Sequence, residues 1–336
     1  MGAWDFLRSI WFLLIGILLA GYSLLDGFDL GVGVLLPFLA KDGGERTALV
    51  RSIGPVWDGN EVWLLTGGGA LFAAFPQAYA TVFSGFYLAL MPVLFSLILR
   101  AVSLEFRAHD ARRKKLWEAV FVGASFLPAL LFGVALGNVV GGVPLDARME
   151  YAGSFFTLLR PLPLVFGLLG LAAFLLHGAT WAALKTEGAL QARARRTARA
   201  MAAATGILHL LAFAAVCVYL PSALDRLPSW AFAALVPLSL GLLLRALAAG
   251  RDDRAFIFSC AAFLGLWGTV GAVHYPNLVR ATEPSLSLTV TSASSSALTL
   301  KVMLMIALVG MPFVIWSTVH AYRVFKGKVR TDEDGY

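Results

Sequence analysis

From Ser9 to Leu39 the chain carries only two formal charges, Asp26 and Asp29, in an otherwise apolar run. A run of that length constrains the fold more than any motif, because crossing bilayer hydrocarbon as a helix takes about 20 apolar residues. It is the first of nine such segments, roughly 9–39, 53–75, 77–107, 116–140, 161–184, 200–220, 229–248, 255–274 and 299–322. Only helices and closed barrels satisfy every backbone group in lipid, and these runs are continuous rather than alternating, so helices are expected. The composition agrees: 59% hydrophobic, 14% charged and a mean hydropathy of +0.78 exclude a soluble domain and a disordered chain. Residues 1–336 therefore read as one polytopic all-α membrane domain. The first run is too long for the apolar part of a signal peptide and is read as a retained span. Pro76 separates the second and third runs with almost no loop, which predicts a tight helical hairpin.

Basic residues set the expected orientation. Five arginines (Arg8, Arg148, Arg160, Arg226 and Arg280) fall in one set of gaps, whereas twenty Lys and Arg, counting Arg107 and Arg245 at the span ends, fall in the other set and the tail. The richer set includes Ala111–Leu116 ("ARRKKL"), Gln191–Arg199 ("QARARRTAR") and Arg323, Lys326, Lys328 and Arg330. The positive-inside rule then places the N-terminus outside and the C-terminus in the cytoplasm. The net charge of +7 reads as inner-loop anchors facing anionic membrane lipid, not as a nucleic-acid surface. Thr282–Ser296, rich in Ser and Thr, reads as an outer loop.

Ionisable groups inside spans are costly and by default mark function or a partner. Asp26 and Asp29 are three residues apart and share a helical face. Ser23, Gly27 and Gly31 form a neighbouring small-residue ridge that lets another helix approach. In the second run Asp58 and Glu61 again share a face, with Trp57, Asn60 and Trp63 around them, and the third run carries Arg100. Counted at 1.5 Å per residue, Asp26 lies about 20 Å from its inner helix end, Arg100 about 10 Å and Asp58 about 8 Å. Two readings stand. One is a buried ion-pair network, Arg100 with Asp58 or Glu61, that fixes helix packing. The other is a proton or cation path from the cytoplasm, favoured because one arginine cannot neutralise four carboxylates.

A b-type haem would need His or Met ligands at matched depth. His177, His209 and His274 lie at different depths, and His109 and His320 near the inner face, so each reads as packed or interfacial. Cys217 and Cys260 are far apart and form no metal or disulfide pattern.

At these residues the chain resembles subunit II of the cytochrome bd-type quinol oxidases. The resemblance is carried by "DGFDLGVG" (Asp26–Gly33), "PVWDGNEVWLLTGGGALFAAFP" (Pro55–Pro76), "FSGFYLAL" (Phe83–Leu90), "FGVALGN" (Phe132–Asn138) and "LTLKVM" (Leu298–Met303). It implies nine helices, largely two four-helix bundles plus one peripheral helix, in the cytoplasmic membrane of a prokaryote. It implies a haem-bearing partner, subunit I, holding two b-type haems and one d-type haem, with no haem ligated by this chain. The complex would oxidise quinol and reduce oxygen to water, the isolated chain being non-catalytic. Residues matching Asp26, Asp29, Asp58 and Arg100 are associated with a proton path, with Glu61 beside them and Trp57 lining the cluster. The residue matching Trp63 is associated with oxygen access. Some members hold a structural quinone, and the resemblance leaves room for a small accessory subunit. Longer members carry an insertion where this chain has the short loop Pro221–Pro228. From the residues alone, a proton- or cation-coupled transporter or a purely structural assembly subunit remain as alternatives.

Overall fold

The apolar runs fold as helices, and most of them are longer than the apolar stretch that announces them. The computed structural model describes residues 2–221 and 225–329. In chain order these form α1 (Ala3–Leu25), α2 (Gly27–Leu39), α3 (Gly43–Ile53), α4 (Trp57–Ala74), α5 (Pro76–Gly85), α6 (Tyr87–His109), α7 (Lys114–Gly141), α8 (Pro161–Lys185), α9 (Gly188–Tyr219), α10 (Leu227–Ala248) and α11 (Asp252–His274). A short antiparallel hairpin, β1 (Asn277–Val279) and β2 (Leu288–Thr289), precedes α12 (Ala297–Val324). Arg330 and part of the loop Pro221–Pro228 lie outside the described residues. Eight segments among the described residues are long and apolar enough to cross a membrane, with Trp4–Leu39 counted as one. The helix α4 is not one of them: its 18 residues include Asp58, Asn60 and Glu61.

Three features depart from the sequence expectation. The run 9–39 is interrupted at Asp26, which separates α1 from α2. The interruption is one residue long, because the Asp26 N–H still donates to Tyr22 O (2.8 Å) and Leu30 N–H to Asp26 O (3.0 Å). The expected hairpin at Pro76 is instead a separate helix. Pro76 opens α5 at a position where its missing N–H costs nothing, and α6 begins only at Tyr87. Finally, the basic stretch Gln191–Arg199 is the first part of α9, not a loop. At 32 residues α9 is about 48 Å long, well beyond the thickness of hydrocarbon.

Close packing gathers the helices around α2 and α8. A Cβ built on Gly31 would lie 2.0 Å from the Phe174 carbonyl oxygen, and one on Gly178 would lie 2.4 Å from the Gly31 carbonyl carbon. Backbone therefore touches backbone between α2 and α8, and the small-residue ridge read from the sequence is used in this way. The helix α12 is the opposite case: Leu300 is its only fully buried residue among those described.

The connections segregate to two ends. One end is built on an apolar cluster that includes Trp11, Phe75, Phe86, Val143, Val279 and Leu288. Its arginines are occupied by helix ends. Arg160 donates to Gly142 O at the end of α7, Arg226 to Ala272 O (3.2 Å) and Tyr275 O, and Arg280 to Val273 O (3.4 Å). These carbonyls have no partner within their own helices and carry the negative end of the helix dipole. The opposite end holds the basic runs, and its charges pair across elements. Arg193 bonds Glu45 and Leu39 O, Arg195 bonds Asp252 (2.6 Å), and Arg107 (3.0 Å) and Arg46 (2.5 Å) share Glu118. Four of the arginines at this end are therefore committed to protein carboxylates.

Candidate functional site: a buried arginine among carboxylates

The break at Asp26 and the N-terminal half of α4 meet the middle of α6. Asp26, Asp29 and Arg100 are each fully buried, although an apolar helix gains nothing by carrying them. The Arg100 guanidinium grips Asp26 with both terminal nitrogens, Nη1 to Oδ2 at 2.7 Å and Nη2 to Oδ1. This is the bidentate fork that suits a carboxylate best. The same guanidinium lies 3.4 Å from Glu61 and 3.9 Å from Asp29.

The expectation that Arg100 pairs with Asp58 or Glu61 is thus corrected. Its principal partner is Asp26, Glu61 is secondary, and Asp58 is exposed and not among its partners. Counting residues from each helix end placed Asp26 and Arg100 at different depths. The count fails in part because α6 continues to His109, which sets Arg100 farther from its helix end than the run 77–107 implies. Trp57 is half-buried and packs on the apolar cluster that includes Ile53 and Val56. Trp63 is half-buried too, and its ring occupies a notch in α1, where a Cβ on Gly21 would come within 2.5 Å of it.

Two residues complete the site. Asn60, 1% exposed, donates through Nδ2 to Asp29 Oδ2 (2.8 Å) and to Leu25 O (2.9 Å). Its own Oδ1 accepts from the Tyr322 hydroxyl of α12 (3.0 Å). Asn60 stands beside Asp58 and Glu61 in the sequence, which points to it. Tyr322, 262 positions away, gave no local signal.

The charge balance is the chemical point. One guanidinium faces three carboxylates, and its fork saturates only Asp26. The charge left on Asp29 and Glu61 has to be met by protons or by solvent, because uncompensated carboxylates are not held in a low-dielectric interior. Asp29 Oδ1 meets no hydrogen-bond donor among the described residues. The Glu61 side chain is 23% exposed and the Asp26 side chain 0%, so Glu61 links the buried group to the surface of the chain.

The buried histidines are each held by an acceptor of the chain itself. Both ring nitrogens of His177 are engaged, Nε2 donating to Leu24 O (2.9 Å) and Nδ1 bonding Ser259 Oγ (2.7 Å), and its ring stacks on Phe256 at 4.8 Å. His209 bonds Ala233 O (3.0 Å) and His274 bonds Leu278 O (3.0 Å) through Nε2. His109 and His320 are exposed. Among the described residues no three His, Cys, Asp or Glu side chains could together hold a metal ion.

Comparison with known proteins identifies the lineage. The family model for cytochrome bd terminal oxidase subunit II matches residues 7–325. This chain is a member of that family. It is 37% identical over 369 residues to cytochrome bd-I ubiquinol oxidase subunit 2 of Escherichia coli (strain K12), covering 98% of this chain and 97% of that one. It is 35% identical over 333 residues to cytochrome bd ubiquinol oxidase subunit 2 of Bacillus subtilis (strain 168), covering 97% and 98%. The fold matches a chain of the bd oxidase from Geobacillus thermodenitrificans with a TM-score of 0.81, at 19% identity and 95% and 98% coverage. The family and the eight apolar helices together make this a multi-pass membrane protein of a quinol oxidase.

Proposed function

We propose that this chain is the oxidase subunit that ligates no haem itself, pairs with a haem-bearing subunit I, and passes protons toward it through the Arg100 cluster. The observation that carries this reading is the surplus of carboxylates around one buried guanidinium, with a graded exit to the surface. Asp58 is exposed, Glu61 is partly exposed, and Asp29 and Asp26 are buried. Protons consumed in reducing oxygen would enter at the end bearing the basic runs, which we assign to the cytoplasm of a prokaryotic cell. In this arrangement α4 is a ninth crossing, and the helices form two sets of four with α12 outside them. Trp63 is proposed to border the oxygen route. Family membership argues against the transporter alternative.

A purely architectural role has one observation in its favour, the fully buried fork between Arg100 and Asp26. Asp58→Asn separates the two readings, because Asp58 is not a partner of Arg100 and its loss orphans no buried charge. The asparagine keeps size and hydrogen bonding but removes the exchangeable proton. In the purified complex we expect full haem content by visible spectrum and at least about tenfold lower quinol oxidase turnover. Normal turnover in an assembled variant would sink the relay through Asp58. Orientation has its own test: a reporter fused after Lys328 or Arg330 should read as cytoplasmic, and one at Asp146 as external.

A further inference from the structure

The break at Asp26 has no cause in its own segment. Asp26 keeps helical backbone angles (φ −86°, ψ −16°), no proline stands nearer than Pro37, and the Asp26 side chain does not cap α2. An aspartate at a helix start ordinarily turns its carboxylate onto the backbone N–H groups that follow it. Here both oxygens are on Arg100. The donors that meet the break come from two other helices. From α4, Asn60 Nδ2 donates to Leu25 O (2.9 Å), and from α8, His177 Nε2 donates to Leu24 O (2.9 Å). Carbonyls in the last turn of a helix look outside it for donors, and these two side chains supply them from opposite helices.

Asn60 also donates to Asp29 and so belongs to the acid cluster itself. The partners of His177 are Leu24 O and Ser259 Oγ, neither of them an acid. Its ring lies against the break, 3.8 Å from the place of a Cβ on Gly27 and 5.8 Å, centre to centre, from Phe28. A carbonyl oxygen only accepts, so the bond to Leu24 requires a proton on Nε2. An imidazole with one ring proton then accepts at Nδ1. The Ser259 hydroxyl of α11 supplies that bond (2.7 Å), and Ser259 Oγ in turn accepts from the Thr180 hydroxyl (3.1 Å). His177, Ser259 and Thr180 are all buried, so this chain of bonds fixes the imidazole away from bulk solvent.

We propose that His177 is a positioning residue of the proton path. By holding Leu24 O it keeps α1 and α2 separate at Asp26, which aims Asp26 at Arg100 and Asp29 at Asn60. This inference rests on the proton-path reading above. Proton transfer needs donor and acceptor within hydrogen-bond reach, and a displacement of about 1 Å can cost on the order of a hundredfold in rate. Loss of the Nε2 donor lets the turn close into continuous helix, which moves both carboxylates relative to Arg100 on α6.

The test uses the purified complex and three variants. His177→Leu fills the site with apolar atoms and removes the donor. His177→Gln carries an amide that donates at about the reach of Nε2. Ser259→Ala unties Nδ1. Haem content, kcat per haem and KM for quinol are measured for each. We expect at least about fivefold lower kcat in assembled His177→Leu with KM unchanged, at least half of wild-type kcat in His177→Gln, and about a twofold loss in Ser259→Ala. A merely architectural histidine lowers haem content but leaves kcat per haem at the wild-type level, and that result overturns the proposal. Equal losses in His177→Gln and His177→Leu also overturn it, because the donor is then not what matters. If His177→Leu fails to assemble, Ser259→Ala decides, and wild-type kcat there overturns the proposal. Asp58→Asn measured alongside keeps the two readings apart. Normal turnover in that variant counts against the relay, whereas lost turnover there with full kcat in His177→Leu counts against the positioning role alone.

Discussion

Arg100 and Arg107 stand two turns apart on one face of α6, and the groups built around them have opposite charge balance. Arg100, deep in the helices, is one cation among three carboxylates, Asp26, Asp29 and Glu61. Arg107, near the helix end, shares one carboxylate, Glu118, with a second cation, Arg46. Both groups tie helices together, so cross-linking alone does not explain why they differ. At the helix end a surplus of positive charge is met by water and lipid phosphate and needs no chemistry. At depth a surplus of carboxylates persists only where protons or solvent can reach it. On the proposed reading the shallow group is structural and the deep one handles protons.

The largest expected effect comes from Arg100→Leu. It leaves the Asp26 carboxylate buried without its fork, which should cost about 3–5 kcal/mol and most of the yield of haem-containing complex. Adding Asp26→Leu should restore more than half of that yield, because the uncompensated charge is then gone. If the double variant assembles no better than the single one, the pair is not what holds the two helices. Glu118→Gln should cost less, about 1–3 kcal/mol in the thermal unfolding of the complex, since two guanidiniums keep a neutral acceptor. Turnover per assembled haem should stay at the wild-type level; a drop there would erase the contrast between the groups. Arg46→Gln should be milder, about 1 kcal/mol or less and weaker still at high salt, because the Arg46 side chain is 33% exposed. Asp58→Asn should be the smallest of all in stability, within about 0.5 kcal/mol, despite its predicted loss of turnover. An unfolding shift as large as that of Arg100→Leu would mean that Asp58 is buried against the partner subunit and not a point of proton uptake.

Much of this comparison was legible in the sequence, and the missing parts share a cause. The period of a helix puts Asp26 with Asp29 and Asp58 with Glu61, and the glycines beside Asp26 announce a close neighbour. Which acid meets Arg100 depends on how α1, α4 and α6 are shifted and tilted against one another, and residue counts along separate helices do not contain that information. The break at Asp26 is invisible to hydropathy because the residues on both sides are apolar. The same blindness merged α5 with α6 across Phe86. Long apolar stretches also hid the extent of α9, whose first turns are basic yet helical because ion pairs to Glu45 and Asp252 hold them. Tyr322 and Glu118 act through contacts with distant segments, and neither stands in a pattern that its neighbours reveal.

The sparse seating of α12 bears on how the protein is made. Its N-terminal end is fixed by the Trp11 indole donating to Leu300 O (2.9 Å), and its C-terminal end by Tyr322 on Asn60 and by Lys185 on Phe325 O (2.7 Å). These residues follow every other described helix in the chain and leave the ribosome after them. Until they arrive, Asn60 and the aspartate it holds have no hydroxyl closing over them, so a nascent chain carries an acid cluster still open on one side. Arrival of α12, rather than membrane insertion of the first helices, is then the event that seals the site.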